Sequence, residues 1–524
     1  MPMTIRLPVE RERMRAGPAS ACTASRRARL SRFRIVLTVA LVCFLLGALN
    51  ITVVDVENIL ALSFFALIAW VAVMVSLPRD TASALPVWLL AAVFFLGYFP
   101  EYIYLTVDPH ALADTDPILA SRLSAKVLSS TYQLLLVGFC VFCLSAAIPM
   151  RRANSGRQST TRLAIAPHMP DAVLGGIVLV EVVSAYLMWT YGVGIMWADA
   201  PSLPYRMAGF LYYTRVIFLP AFLLLLFWLN DHRQAGWRFP ASVGLLLLHG
   251  LLEALLRGSR GAILHLFLQI LFLLLVTGKM TRRRFSIGLI ALSSVILAYP
   301  LITAYRTVRA MKIEASPANV IAFAYDPRAV VKTLPLGVRA ALHRVNPVFM
   351  IISNTPQPLG LRNIGKVTRK LNTDLYHLFP GMGQGAGAAT LLGWFYLLEG
   401  LPGVIIGLPV FITVARLVWR ALLRSSLFCR PIALVMFGTL YFGAITDCVL
   451  EMLPLQLLVT VATLACIELF LRPLKSRPHS PPRPDRLRAG QPPAMPARQM
   501  RFSSIGGRSG ENPLPARRLP VPAR

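Results

Sequence analysis

Apolar runs of about 20 residues recur along this sequence, and that is the length at which an α-helix crosses a hydrocarbon core ~30 Å thick. Only 15% of the 524 residues are charged, whereas soluble domains carry about 25%. The core of such a chain forms where helices pack on one another within lipid. We therefore predict an all-α, polytopic integral membrane protein with about twelve transmembrane helices. The predicted spans are residues 35–54, 59–77, 85–105, 127–148, 172–192, 208–229, 240–256, 262–277, 285–304, 389–416, 432–450 and 455–471.

The distribution of basic residues predicts how these spans are oriented. Cytoplasmic loops of membrane proteins carry an excess of Lys and Arg. Residues 1–34 hold nine Arg against two Glu, and residues 472–524 hold twelve Lys or Arg against Asp485 and Glu511. Both termini are therefore predicted to lie in the cytoplasm. The basic loops that fall on the same side when the spans are counted are 151–162, 232–238, 279–284 and 416–430.

Three regions follow from this pattern. Residues 1–34 are predicted to form a basic cytoplasmic arm, and residues 35–471 a polytopic membrane domain. Within that domain, residues 305–388 form one long extracytoplasmic (periplasmic) loop. Residues 472–524 are rich in Pro and Arg and too poor in apolar residues to build a core, so we expect a disordered cytoplasmic tail. The first apolar run begins at Ile35 and has full length, which favours a retained anchor over a cleaved signal peptide.

Several partner classes are disfavoured by the same composition. The net charge of +30 resides mainly in the arm, the tail and short loops, which predicts contact with membrane lipid and no binding of nucleic acid. Five of the seven Cys lie inside apolar runs, where small buried thiols are expected. We therefore expect no disulfide framework, no metal site and no cofactor.

Ionisable residues at membrane depth are candidates for function because each costs about 2.5–3.5 kcal/mol to insert. Glu181 and Arg215 could form a structural ion pair between neighbouring helices. Glu253 lies one helical turn before Arg257 and could orient it. The residues of this kind within or beside the apolar runs are Glu181, Arg215, Glu253, Glu399, Asp447, Glu451 and Glu468, of which Glu468 is expected to be solvated near the cytoplasmic end.

Arginines accumulate on the outer side, where the charge rule predicts few of them. Guanidinium groups bind phosphate oxygens through bidentate, charge-assisted hydrogen bonds, and Arg suits this geometry better than Lys. A basic outer pocket therefore fits a lipid-linked diphosphate, although lipid headgroups or loop carboxylates would also explain individual arginines. The predicted diphosphate-binding residues are Arg257, Arg260, Arg306, Arg309 and Arg344.

Three stretches carry a family resemblance. LLRGSRGAILHLFLQILFLLLVTGKM places a Ser-Arg-Gly turn before an apolar helix, RVNPVFMIISNTPQPLG follows in the long loop, and GQGAGAATLLGWFYLLEGLPGVIIG re-enters the membrane. In order and topology, residues 172–450 resemble bacterial O-antigen polymerases, the oligosaccharide repeat-unit polymerases. The chain departs from that pattern at Trp394, where relatives often carry an acidic residue. It also has no Arg followed by Gly eleven positions later in the long loop.

This resemblance implies a metal-independent membrane glycosyltransferase of the bacterial inner membrane. It would polymerise undecaprenyl-diphosphate-linked repeat units into O-antigen or exopolysaccharide on the outer face. The arginines would stabilise the departing diphosphate, and His343, His377 or Glu399 would serve as the base for the acceptor hydroxyl. A chain-length regulator and a flippase are the expected protein partners.

Three other functions fit the same sequence. An O-antigen ligase shares the architecture and the basic outer loop, but transfers a finished glycan to a lipid A core. A polysaccharide flippase or transporter would also need about twelve spans. A scaffold for polysaccharide export would tolerate the loss of every outer arginine.

Overall fold

A computed structural model of the chain describes residues 81–100, 102, 124–148, 169–194, 203, 207–230, 236–257, 261–277, 359–366, 390–446 and 452–471. All regular structure in these ranges is helical, and none of it is strand. Among the described residues, five helices are long and apolar enough to cross a membrane. The all-α class is thereby confirmed for the described residues, and these helices are compatible with a multi-pass membrane protein. The count of twelve spans and the long loop stay predictions. The predicted regions that lie outside the described residues are the arm 1–34, the spans 35–54, 59–77 and 285–304, most of the loop 305–388, and the tail 472–524.

The predicted spans that reach the described residues coincide with helices. The main difference is the predicted span 389–416, which continues as helix to Arg424. We number the helices α1 (Thr81–Val93), α2 (Ala125–Ala147), α3 (Met169–Tyr191), α4 (Met207–Asn230), α5 (Arg238–Arg257), α6 (Gly261–Val276), α7 (Leu391–Arg424), α8 (Arg430–Thr446) and α9 (Leu453–Leu471).

Helix α4 is the central helix of this arrangement. In its most apolar stretch 61% of the residues are buried, against 17% in α9 at the periphery. Helices α3, α5, α6, α8 and α9 all contact α4, while α7 packs against α1, α2 and α8. The fully buried run Leu223–Leu226 explains this position, because α4 presents apolar side chains in every direction.

The outer surface of the helices is apolar. Leu179 and Tyr186 on α3, Ile406 on α7 and Leu458 on α9 are each more than 60% exposed. A soluble protein rarely exposes such continuous apolar faces to water. Hydrocarbon tails are the environment that suits these faces.

Polar contacts at one end of the bundle set the relative level of the helices. Arg416 of α7 donates to the carbonyl oxygens of Ser145 (2.7 Å) and Ile148 (3.0 Å), and thereby caps the end of α2. Asp171 and Arg238, at the first turns of α3 and α5, form a bidentate ion pair at 2.7 and 2.8 Å. The predicted topology places all of these residues at the cytoplasmic ends of their spans, so the alternation of helix direction agrees with it. Which end faces the cytoplasm stays a prediction.

Candidate functional site

A π-helical turn, Thr214–Phe218, interrupts α4 near its first residues. Pro220 follows it, and because proline has no N–H, the carbonyl of Val216 loses its usual helical donor. The wider turn carries Arg215, whose side chain is fully buried. Single π turns within α-helices often occur at functional sites.

The Arg215 guanidinium joins three helices. Its Nη2 lies 2.7 Å from Oε1 of Glu181 on α3, and its Nε lies 2.5 Å from Oε1 of Glu253 on α5. Its Nη1 donates to the Ser184 hydroxyl (3.0 Å) and to the carbonyl oxygen of Glu181 (3.1 Å). The prediction that Glu181 and Arg215 pair across neighbouring helices is confirmed. A buried charge with this many charge-assisted partners is well compensated.

One face of α5 carries His249, Glu253 and Arg257, each four residues from the next. His249 Nδ1 lies 2.8 Å from Oε2 of Glu181. Arg257 Nη1 lies 3.5 Å from Oε2 of Glu253, and its Nη2 donates to the Tyr212 hydroxyl at 3.0 Å. The Arg257 guanidinium also lies over the Tyr212 ring, 4.9 Å from its centroid, in cation–π geometry.

A cavity of about 340 Å³ opens beside this charged network. Its volume falls in the range of small-ligand sites, which is roughly 300–1,000 Å³. Helices α4, α5, α6, α8 and α9 all contribute to its wall. Beyond the charged network, the polar lining residues are His265, Gln269, Thr439, Gln456 and Thr460, and the apolar ones include Leu266, Met436, Leu440 and Leu453.

Gln269 of α6 is the most informative of the uncharged polar residues. Its side chain lines the cavity while the residue is only 5% exposed. It makes no hydrogen bond to any other residue in the part of the chain that the structure describes. Its amide is open to the cavity, so this position suits a polar ligand that enters there.

The cavity lies at the end of the bundle opposite to the Arg416 and Asp171 contacts. It is lined by the first turns of α4 and α9 and by the last turns of α5 and α8. In the predicted topology these are the extracytoplasmic ends of those spans. If that topology holds, a ligand would enter the cavity from the outer side of the membrane.

Three of the residues singled out by sequence, Arg215, Glu253 and Arg257, are brought together in this cavity. Glu253 contacts Arg257, as expected, but its shorter contact is with Arg215. Glu399 does not line the cavity; it is exposed at a break in α7, where its carboxylate accepts the Leu361 N–H at 2.8 Å. The predicted site residues that lie outside the described residues are Arg260, Arg306, Arg309, His343, Arg344 and His377.

Sequence reasoning did not identify His249, Tyr212 or Gln269. The four-residue spacing from His249 to Glu253 was a signal that could have found the histidine, because it places both on one face of α5. Tyr212 and Gln269 carry no such local signal, since their partners lie on other helices. Within the described helices, no three His, Cys, Asp or Glu side chains are arranged to hold a metal ion.

The site combines a partly exposed guanidinium, a compensated buried ion network and an uncharged polar wall, all within or beside the predicted spans. Such a cavity can bind a ligand with an anionic group at one end and hydroxyl groups at the other. No protein-family model, curated protein or solved structure matches this chain.

Proposed function

We propose that this protein is a membrane glycosyltransferase that polymerises polyprenyl-diphosphate-linked repeat units, with undecaprenyl diphosphate as the lipid. The observation that carries the proposal is the position of Arg257 at the cavity. Its side chain is 25% exposed, and Tyr212 and Glu253 hold it in place. These two contacts use two of the five guanidinium N–H donors, so the others can bind phosphate oxygens.

The charges around the cavity favour an anionic ligand at Arg257. Arg215 is enclosed by Glu181 and Glu253 and fully buried, so its charge is already compensated. Among the described residues, the one carboxylate that Arg257 contacts is that of Glu253, at the longer distance of 3.5 Å. Arg257 is therefore the cation that could stabilise the negative charge developing on a departing diphosphate.

The uncharged part of the wall suits a sugar. Gln269 and Gln456 offer amide donors and acceptors. Thr439 and Thr460 already donate their hydroxyl protons to backbone carbonyls at 3.0 and 2.7 Å, which leaves their oxygens as acceptors. The neighbouring apolar residues Leu266, Met436 and Leu440 suit the start of a polyprenyl chain.

Polymerisation uses two lipid-linked substrates, and each carries a diphosphate. Arg257 accounts for one of these groups in the proposal. The arginines predicted by sequence on the outer side, Arg260, Arg306, Arg309 and Arg344, are proposed for the other. A bacterial inner-membrane location with the cavity facing outward belongs to the same proposal.

The test compares two arginines on one helix. Arg257→Ala removes the cavity cation, whereas Arg238→Ala removes a cation of similar exposure, 28% against 25%, at the opposite end of α5. In a strain that lacks its own copy, Arg257→Ala should leave glycans of single repeat units at unchanged protein level. Arg238→Ala should retain long chains. Long chains in the Arg257→Ala strain would remove Arg257 from the mechanism and the proposal with it.

A transporter is the second candidate, and one observation favours it. Glu181 and His249 form a buried pair inside predicted spans, and such pairs are typical of proton relays in membrane carriers. Proteoliposomes discriminate the two functions: translocation of a lipid-linked glycan without new glycosidic bonds would favour the transporter. The glycan that accumulates in a deletion strain distinguishes a ligase from a polymerase. A strain that lacks a ligase still accumulates long polymer on the lipid carrier.

A further inference from the structure

We infer that His249 is the general base that activates the acceptor hydroxyl, with Glu181 as its positioning residue; this rests on the proposed function. Nδ1 of His249 lies 2.8 Å from Oε2 of Glu181. A carboxylate only accepts hydrogen bonds, so Nδ1 carries the proton. Nε2 then holds a lone pair, and His249 lines the cavity in which the ligand would lie.

The charged groups around His249 balance one another. Glu181 on α3 and Glu253 on α5 are balanced by Arg215 on α4 and Arg257 on α5. Two carboxylates and two guanidinium groups therefore cancel without a charge on His249. The other titratable side chains of the cavity are Tyr212 and His265, and neither adds a permanent charge.

The Glu181 carboxylate has a second partner besides His249. Its Oε1 is bound by Arg215 and its Oε2 by His249, so the carboxylate is held from both sides. This fixes the plane of the imidazole, and the carboxylate stabilises the imidazolium that forms when the base takes a proton. A histidine held in this way is an oriented base rather than a mobile surface group.

The reaction step balances without any further reactant. The acceptor hydroxyl gives its proton to Nε2 of His249 while its oxygen bonds to the anomeric carbon of the donor glycan. The bond between that carbon and the diphosphate oxygen breaks, and its electron pair leaves with the diphosphate beside Arg257. The proton on Nε2 is then released with the product, which restores the neutral imidazole.

The test uses the purified full-length protein in nanodiscs with lipid-linked repeat units. His249→Gln keeps a polar side chain of similar size but cannot accept a proton. Its rate should fall 10²–10⁴-fold, the usual contribution of a general base. Arg238→Ala, at the opposite end of α5 and outside the cavity, should stay within about threefold of the wild type. Thermal unfolding in detergent establishes that the variants are folded.

Two further readouts separate a base from a structural histidine. The wild-type rate should fall as the medium is acidified, and the residual rate of His249→Gln should not follow that profile. Free imidazole should restore part of the activity of His249→Ala, because the deleted ring leaves space beside the cavity. Glu181→Gln keeps an acceptor but loses the charge, and should reduce kcat more than it changes KM.

The outcomes distinguish the base from the function. If Arg257→Ala is inactive while His249→Gln keeps the wild-type rate, His249 is not the base and the proposed function stands. If the wild-type protein forms no glycosidic bond, both proposals are overturned. A folded His249→Gln protein that is inactive, together with imidazole rescue of His249→Ala, supports the inference.

Discussion

Arg215 and Glu253 form an ion pair, Nε to Oε1 at 2.5 Å, in which the side chains are 0% and 5% exposed. Burying both charges costs several kcal/mol of desolvation each, so the pair gives little net stability by itself. The pair matters more when it is broken, because removing a single partner leaves an uncompensated buried charge. Arg215, which has no exposed surface, is therefore the member of the network whose loss is expected to cost most unless its carboxylate partners change with it.

Replacing Arg215 alone should be among the most destabilising changes in the described helices. Arg215→Met leaves the carboxylates of Glu181 and Glu253 buried without their main partner. We expect a loss of about 3–5 kcal/mol in the free energy of unfolding, measured as a lower unfolding temperature in detergent. Adding Glu181→Gln and Glu253→Gln should recover much of it.

Arg238→Met is the control for this prediction. Arg238 pairs with Asp171, but the two side chains are 28% and 40% exposed. Solvent screening makes such a pair worth about 0–1 kcal/mol. An equal loss of stability in both variants would contradict the view that burial decides the outcome.

Apolar run length predicted most of the described helices, because membrane insertion depends on composition over about 20 residues. It placed a span at 172–192 where α3 runs from Met169 to Tyr191. It did not place the end of α7, because residues 417–424 continue the helix beyond the apolar run. Hydropathy marks the membrane boundary, whereas backbone hydrogen bonds decide where a helix ends.

The site was predictable only in part, and for a physical reason. A costly charge at membrane depth needs a partner, so the pairing of Glu181 with Arg215 could be predicted from sequence alone. The π turn at Thr214–Phe218 rotates the start of α4 relative to its remainder, and no sequence period reports that rotation. Gln269 reaches the cavity because of the way α6 packs against its neighbouring helices. No local sequence pattern reports that packing.

The Cys429 thiol, between α7 and α8, should resist alkylation. The residue is fully buried, and burial, followed by the nearby Glu468 carboxylate, raises the pKa of the thiol to about 12. The thiolate is the reactive form, so a variant with Cys429 as its sole cysteine should react slowly with maleimide at neutral pH. The same variant in denaturant should react rapidly. Rapid labelling of the folded protein would contradict the burial of this thiol.

The same thiol predicts a loss of stability in alkali. Its folded pKa lies above its ordinary value of about 9, so the unfolded chain releases this proton at a lower pH than the folded chain does. The contribution is therefore fully present below about pH 9 and declines as the pH rises towards about 12. Replacing Cys429 with Ser should flatten this part of the stability curve, measured by thermal unfolding from pH 8 to 11.

The break in α7 should depend on Gly400. This residue has φ 66° and ψ −147°, a conformation that is essentially restricted to glycine. Because Pro402 has no N–H, the carbonyl of Leu398 is free to accept the Gly360 N–H at 2.7 Å. Gly400→Ala should therefore cost about 1–3 kcal/mol of stability. Gly244→Ala on α5, where an added Cβ meets nothing within 4 Å, should instead be neutral or mildly stabilising in the same detergent melt.

Tyr212 offers a graded test of how Arg257 is held, and this prediction rests on the proposed function. Tyr212→Phe removes the 3.0 Å hydrogen bond to Nη2 but keeps the ring beneath the guanidinium. Losing one charge-assisted hydrogen bond, worth about 1.5–3 kcal/mol, should slow glycan extension roughly ten- to a hundredfold. Tyr212→Ala also removes the cation–π contact and should slow it further. Tyr213→Phe, at the next position, is the matched control. If Tyr212→Phe and Tyr213→Phe both extend glycans at the wild-type rate, the position of Arg257 does not limit the reaction.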